Sequence, residues 1–510
     1  MSLLTPPPGS PLETPKKTAI DKDLKRIVQL EKATNYAGLK NLDMGFGLLF
    51  VMAVWLYTYL QSGSSDGYAV IAIASIVGAY MAMNIGANDV ANNVGPAVGS
   101  KALTMAGALI IAATFEAAGA LIAGGDVVNT ISKGIVSPEA FPDKDTFIAA
   151  MLAALLAAAL WVNLSTLIGA PVSTTHSIVG GVMGAGIVAA GITAVDWPVM
   201  SAIAASWVIS PFLGGVIAAA FLTFIKFAVL FKTDKVAAAR KWIPVLVGIM
   251  AAAFSVYLVI KGLKRLWQPE LWALGLIGLA AFGIAYGLIR LSTLRNTTRI
   301  ENSRKAVGQL FRAPLICAAA LLSFAHGSND VANAVGPLAA IVSAVTSGDV
   351  AATVTLPLWI LAIGAIGISI GLLLFGPKII KIVGEKITKL DPIRAFCVAL
   401  SAALTVIVAS GFGLPVSSTH IAVGGVFGVG FLREFIVNRR FNQTGTNVTK
   451  PPTLESPATS DLAFNRWAKA RKRKLVRRRH LIGIAAAWVV TVPASALLAG
   501  VLFMVVNALL

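Results

Sequence analysis

Hydrophobic positions in this chain do not alternate with polar ones. They come in long unbroken runs at about 44–60, 68–100, 102–123, 146–168, 176–192, 199–231, 243–260, 271–289, 313–345, 356–376, 395–412, 420–436 and 481–510. A bilayer core takes ~20 apolar residues per helix, so the pattern predicts about thirteen crossings. The expected fold is an all-α polytopic membrane protein of about 11–13 transmembrane helices. Residues 1–43 are polar and proline-bearing, and read as a disordered cytoplasmic tail. Residues 442–460 are rich in Thr, Pro, Ser and Asn and read as a linker.

Composition agrees. Hydrophobic residues make up 57% of the 510, and charged residues 13%, about half the usual ~25%. So few charges cannot coat several soluble domains, and disorder, collagen and disulfide scaffolds are excluded. The net charge of +19 would suggest nucleic acid in a soluble chain. Here it sorts by topology. With the N-terminus inside, segments 1–43, Lys101, 232–242, 290–312, 377–394 and 433–480 carry +24. Segments 61–67, 124–145, 193–198, 261–270 and 346–355 carry −3, and the spans −2. One face thus gathers the positive charge, as cytoplasmic loops do. Lys261, Lys264 and Arg265 break the rule. The basic run from Arg466 to Arg479 reads as a cytoplasmic loop fixing the last helix, with nucleic acid not expected as a partner.

Two motifs recur. Gly86-Ala-Asn-Asp-Val-Ala-Asn-Asn-Val-Gly-Pro96 returns as Gly327-Ser-Asn-Asp-Val-Ala-Asn-Ala-Val-Gly-Pro337, 241 residues later. Pro171-Val-Ser-Thr-Thr-His176 returns as Pro415-Val-Ser-Ser-Thr-His420, 244 residues later. Like order and near-equal offsets mean duplication. An odd number of crossings separates the copies, so the repeats, about 68–192 and 313–436, are of inverted topology. Residues 232–312 link them, 437–480 form a basic loop, and 481–510 form the last helix. Inverted repeats are characteristic of secondary transporters, whose substrate site lies near the midplane between the repeats.

The first motif puts Asp89 and Asp330 inside the bilayer, at ~2.5–3.5 kcal/mol each. Its glycines and prolines predict a broken or re-entrant helix. Asn88, Asp89 and Asn92, with Asn329, Asp330 and Asn333, offer oxygens suited to a hard cation or a protonated ligand; the competing reading is polar contact between helices. In the second motif, Ser173, Thr174 and Thr175, and Ser417, Ser418 and Thr419, fall at a new helix start. Free N–H groups and hydroxyls there suit a tetrahedral oxyanion, where simple capping would use one hydroxyl. His176, His326 and His420 are candidate proton relays, against ordinary interhelical bonding. Glu116 has three readings: partner of Lys226, structural hydrogen bonding, or ion coupling. No metal site, catalytic set or cofactor is expected beyond a coupling cation, H+ or Na+. An intramembrane hydrolase built on Ser173 or Ser417 lacks a nucleophile elbow.

These motifs resemble the inorganic phosphate transporter family, the Pit or type III sodium–phosphate family. The resemblance implies a carrier of orthophosphate with a coupling cation. It implies a phosphate site on Asn88, Asp89, Asn329, Asp330, Ser173, Thr174, Thr175, Ser417, Ser418 and Thr419. Coupling-ion candidates are Asp89, Asn92, Glu116, Asp330 and Asn333. Bacterial members are generally regarded as proton-coupled and able to carry a divalent-metal–phosphate complex. The animal sodium-coupled members have glutamates where this chain has Met151 and Ala399, which argues against animal-type coupling. The expected setting is the bacterial inner membrane among its lipids, with a homodimer left open.

Overall fold

The computed structural model describes residues 42–61, 67–168, 172–262, 267, 269–296, 301–347, 356–386, 390–443 and 478–509. Pro171, Lys264, Arg265, most of the 1–43 tail and most of the 437–480 loop lie outside them. Among the described residues the chain is helical and has no named strand. Twelve helices among the described residues are long and apolar enough to cross a membrane.

The first helices are α1 (Leu42–Gln61), α2 (Tyr68–Gly99), α3 (Met105–Ala123), the short α4 (Gly125–Asn129), α5 (Lys144–Ile168), α6 (Thr174–Ala190) and α7 (Trp197–Ile225). The linking helices come next as α8 (Lys235–Gly262), α9 (Leu271–Asn296) and the short α10 (Arg304–Leu310). The rest are α11 (Arg312–Ser347), α12 (Leu358–Lys386), α13 (Pro392–Gly411), α14 (Ser418–Gln443) and α15 (Arg478–Leu509). Each apolar run yields one long helix, except that run 176–192 gives α6, which is only 17 residues long.

The motif helices run antiparallel. Gly67 at the start of α2 lies by Val345 at the end of α11, Gly78 lies by Leu338 and the Ala334 carbonyl, and Asp89 lies by His326. The inversion expected from counting crossings is therefore present in the packing. The repeats also embrace crosswise. α2 packs along α12 where α11 packs along α3, and α7 along α14 where α6 packs along α15. Such reciprocal contact is the mark of a two-fold relation.

Glycine makes this closeness feasible. A Cβ on Gly86 would collide with the Ile368 carbonyl, and one on Gly327 with the Glu116 carbonyl. Their partner helices answer with Gly371 against Met83 and Gly119 against Phe324. Backbones that touch without side chains between them are how helices associate in lipid, where no hydrophobic force separates tail from Leu. The outward faces of α1, α7 and α9 expose Leu, Ile, Phe and Trp, as lipid contact requires.

One expectation is corrected. The first motif does not break its helix: α2 and α11 run through Pro96 and Pro337 without interruption. A proline removes one N–H bond to residue i−4 and bends rather than ends a helix held by its neighbours. The bonds withdrawn are those to the Asn92 and Asn333 carbonyls, so each motif loses a single rung of its ladder. The second motif behaves as expected in its described residues. Val172 and Ser173 are non-helical before α6, and Leu414–Ser417 are non-helical before α14.

Candidate functional site

α6 begins at Thr174 after the non-helical Val172 and Ser173, and α14 begins at Ser418 after the turn at Gly413 and the non-helical Leu414–Ser417. Ser173 and Ser417 are the caps: their hydroxyls accept from the His176 and His420 amides at 3.1 and 3.3 Å. The capping reading thus holds for these two serines. The next residues have no intrahelical carbonyl for their amides, and their side chains are free for other work.

Those side chains converge on the two aspartates, each 1% exposed. Thr174 Oγ1 donates to Asp89 Oδ2 at 3.0 Å, and Thr419 Oγ1 donates to Asp89 Oδ1 at 2.8 Å. Ser418 Oγ donates to Asp330 Oδ2 at 3.3 Å. Asn92 Nδ2 donates to Thr419 Oγ1 (2.7 Å) and to Asp89 Oδ1 (3.2 Å). Asn333 Nδ2 donates to Thr174 Oγ1 (3.3 Å) and Thr175 Oγ1 (3.1 Å). Thr175 Oγ1 in turn donates to the Val416 carbonyl at 3.1 Å. Both copies of both motifs therefore build one buried cluster, and several links cross from one repeat to the other.

Asn88 and Asn329 reach outward from the cluster to Thr166 and Ser410. Asn88 Nδ2 donates to Thr166 Oγ1 at 2.8 Å. Asn329, with its side-chain oxygen accepting from Ser410 Oγ (2.8 Å), donates to Asp330 Oδ1 and the Val416 carbonyl at 2.9 Å each. Thr166 and Ser410 are themselves 244 residues apart. Extending the second motif's offset upstream was the sequence signal that could have found them.

The symmetry fails most plainly around His326. His326 holds Nδ1 3.1 Å from Glu116 Oε2, Nε2 2.8 Å from Asp330 Oδ2 and 3.9 Å from Asp89 Oδ2. Asn93 Nδ2 donates to Glu116 Oε1 at 2.7 Å. The equivalent positions of the other repeat are Ile85, Ile368 and Ala334, all apolar. Asp89, His326 and Asp330 also bring ligand atoms close enough together to share a cation. His176 and His420 are arranged differently: their rings meet at 4.5 Å between centroids, and Trp207 stands edge-on to His176 at 3.9 Å. Met151 and Ala399 are buried apolar residues of α5 and α13.

A bundle of inverted, reciprocally packed repeats around one polar cluster deep among apolar helices defines a membrane carrier. Residues 85–499 match the phosphate transporter family. A phosphate permease by name from Helicobacter pylori strain J99 is 46% identical over 522 aligned positions, covering 94% of this chain and 98% of the relative. One from Thermococcus kodakarensis is 40% identical, covering 71% of this chain and 88% of its own. A solved structure, the sodium-dependent phosphate transporter, superposes with a TM-score of 0.75 at 36% identity, over 87% of this chain and all of that one. The chain belongs to the phosphate transporter family.

Proposed function

We propose that this protein is a symporter that carries inorganic phosphate together with a cation by alternating access at the Asp89–Asp330 cluster. The observation that carries the reading is the convergence of both motif pairs on one buried site. A phosphate there accepts from the Thr174, Thr175, Ser418 and Thr419 hydroxyls and from the helix-start amides. Its own O–H donates to Asp89 or Asp330. In this structure the Thr174 and Thr419 hydroxyls rest on Asp89, so an entering phosphate competes with that carboxylate for them.

Charge argues for the cation. Asp89, Asp330 and Glu116 lie around a single histidine, and an anion added to them raises the negative charge to be offset within the bilayer. A cation held by Asp89, Asn92, Asp330 and Asn333, or a proton on the Glu116–His326–Asp330 line, supplies the missing charge. Because the repeats are inverted, exchanging their conformations moves the opening from one face to the other. The setting proposed is the bacterial plasma membrane with the N-terminus in the cytoplasm.

The test is radioactive phosphate uptake into proteoliposomes with sodium and pH gradients varied independently. Uptake above protein-free vesicles is expected, driven by one of the two gradients. That gradient identifies the ion, and dependence on added divalent metal identifies a metal–phosphate substrate. No uptake under any gradient would sink the proposal.

A further inference from the structure

α8 belongs to the linking segment and occurs once in the chain, so its contacts have no symmetric counterpart. Phe254, Tyr257, Leu258 and Lys261 share one face of it, by their helical spacing. That face docks beside the site. Phe254 meets the Phe324 ring at 5.0 Å between centroids, and Tyr257 Oη lies 3.5 Å from Ser328 Oγ, next to Asn329 and Asp330. One turn further, Lys261 Nζ donates to Asp126 Oδ2 and, at 2.9 Å, to the Gly411 carbonyl. Asp126 lies just past α3 in repeat 1, and Gly411 ends α13 in repeat 2. An ammonium on that carbonyl satisfies an orphan acceptor and favours the helix dipole.

Beyond Gly411 the chain enters the loop that delivers Ser417, Ser418 and Thr419. It turns at Gly413 (φ 70°), a left-handed conformation that suits glycine. Side chains from outside repeat 2 hold its carbonyls: Thr130 Oγ1 on Gly413 (2.7 Å), Trp207 Nε1 on Pro415 (3.1 Å) and Thr175 Oγ1 on Val416 (3.1 Å). Lys261 pins the start of this run. Its side chain is 15% exposed, and that of Asp126 30%. Such a pair is wet enough to separate without stranding a bare charge in lipid, yet sheltered enough to bias a conformation.

We infer that Lys261 is a positioning residue: it pins the Gly411–Val416 loop, and with it Ser418 and Thr419, and opening the site on this face requires the pin to release. The inference rests on the proposed transport function. It also gives Lys261, one of the three charges that break the topological pattern, a counter-charge in Asp126.

The experiment places a reporter behind the pin. Ala123, buried beside Tyr257, is replaced as Ala123→Cys in the full chain carrying Cys317→Ser and Cys397→Ser. Labelling by a charged, membrane-impermeant thiol reagent is timed in proteoliposomes, with phosphate KM and maximal rate measured in parallel. Lys261→Ala is expected to speed labelling about tenfold and raise KM about fivefold. Lys261→Arg, which keeps both donors, restores both. Asp126→Asn serves as a second variant should Lys261→Ala fail to fold, and is expected to speed labelling in the same direction. Unchanged labelling in these variants, or an Arg variant that behaves like Ala, overturns the pin. Absence of phosphate uptake by the unmodified protein would overturn the transport reading instead and leave the labelling comparison intact.

Discussion

Thr419 of the second repeat donates its hydroxyl to Asp89 of the first at 2.8 Å, although 330 residues separate them. Its oxygen simultaneously accepts from Asn92 at 2.7 Å. One hydroxyl thus joins the acidic motif of one repeat to the helix start of the other. Thr419→Val keeps the shape and removes the hydroxyl, leaving a buried carboxylate and amide short of a partner, at a cost of ~1–3 kcal/mol. Initial phosphate uptake by this variant is expected to fall about 10- to 100-fold, and Thr419→Ser is expected to recover most of it. Uptake by Thr419→Val equal to the unmodified protein would remove Thr419 from the site.

In the proposed mechanism Asp89 and Asp330 have a more demanding role, because they accept the hydrogen bond from the substrate's own O–H. Asp89→Asn and Asp330→Asn are each expected to abolish uptake while the purified proteins remain monodisperse on gel filtration. An amide is nearly the size of a carboxylate but can turn an N–H toward the substrate's O–H, where an acceptor is needed. Transport by either variant at more than a tenth of the normal rate contradicts the assignment.

In the proposed mechanism selectivity depends on the same acceptor. Phosphate at neutral pH bears at least one O–H, whereas sulfate bears none. A site that hydrogen-bonds a substrate hydroxyl rejects the analogue lacking it by about 10⁴–10⁵. Arsenate should therefore compete with radioactive phosphate near equimolar concentration, and sulfate should not compete in thousandfold excess. Effective sulfate competition would argue against direct donation from substrate to carboxylate.

Glu116 and His326 break the two-fold pattern, and in the proposed mechanism they serve the coupling ion. Glu116→Gln removes a charge while retaining an oxygen for Asn93. Phosphate exchange across the membrane without a gradient is expected to continue in this variant. Accumulation driven by the ion gradient should fall about tenfold, measured as the steady-state internal to external ratio. Loss of exchange and accumulation in equal measure would make Glu116 a structural residue.

Helix packing gives a prediction independent of transport. Gly327→Ala drives a methyl into the Glu116 carbonyl, and over-packing of this type costs ~1–3 kcal/mol or more when backbone is struck. Gly283→Ala on α9 meets open space and gains helix propensity of ~1 kcal/mol. The first is expected to melt several degrees below the parent in a detergent thermal-shift assay, and the second at or above it. Equal melting of the two variants would contradict the close crossing of α3 and α11.

The sequence by itself determined the class. Apolar runs of spanning length, charge gathered between alternate runs, and two motifs repeated at offsets of 241 and 244 were enough for a helical membrane carrier with inverted repeats. They also singled out the Asn, Asp, Ser and Thr side chains that the structure gathers into one cluster, because such side chains are costly in a bilayer and stand out against it. Tertiary structure alone decided three matters. Pro96 and Pro337 lie inside continuous helices, since packing on both sides outweighs the local preference of proline to end a helix. Ser173 and Ser417 cap, while Thr174 and Thr419 reach Asp89, a division fixed by where each residue falls on the first turn. Glu116 and Lys261 gain their partners from other helices, His326 among them for Glu116, and Asp126 and Gly411 for Lys261, and no periodicity or spacing encodes a contact that depends on how the helices embrace.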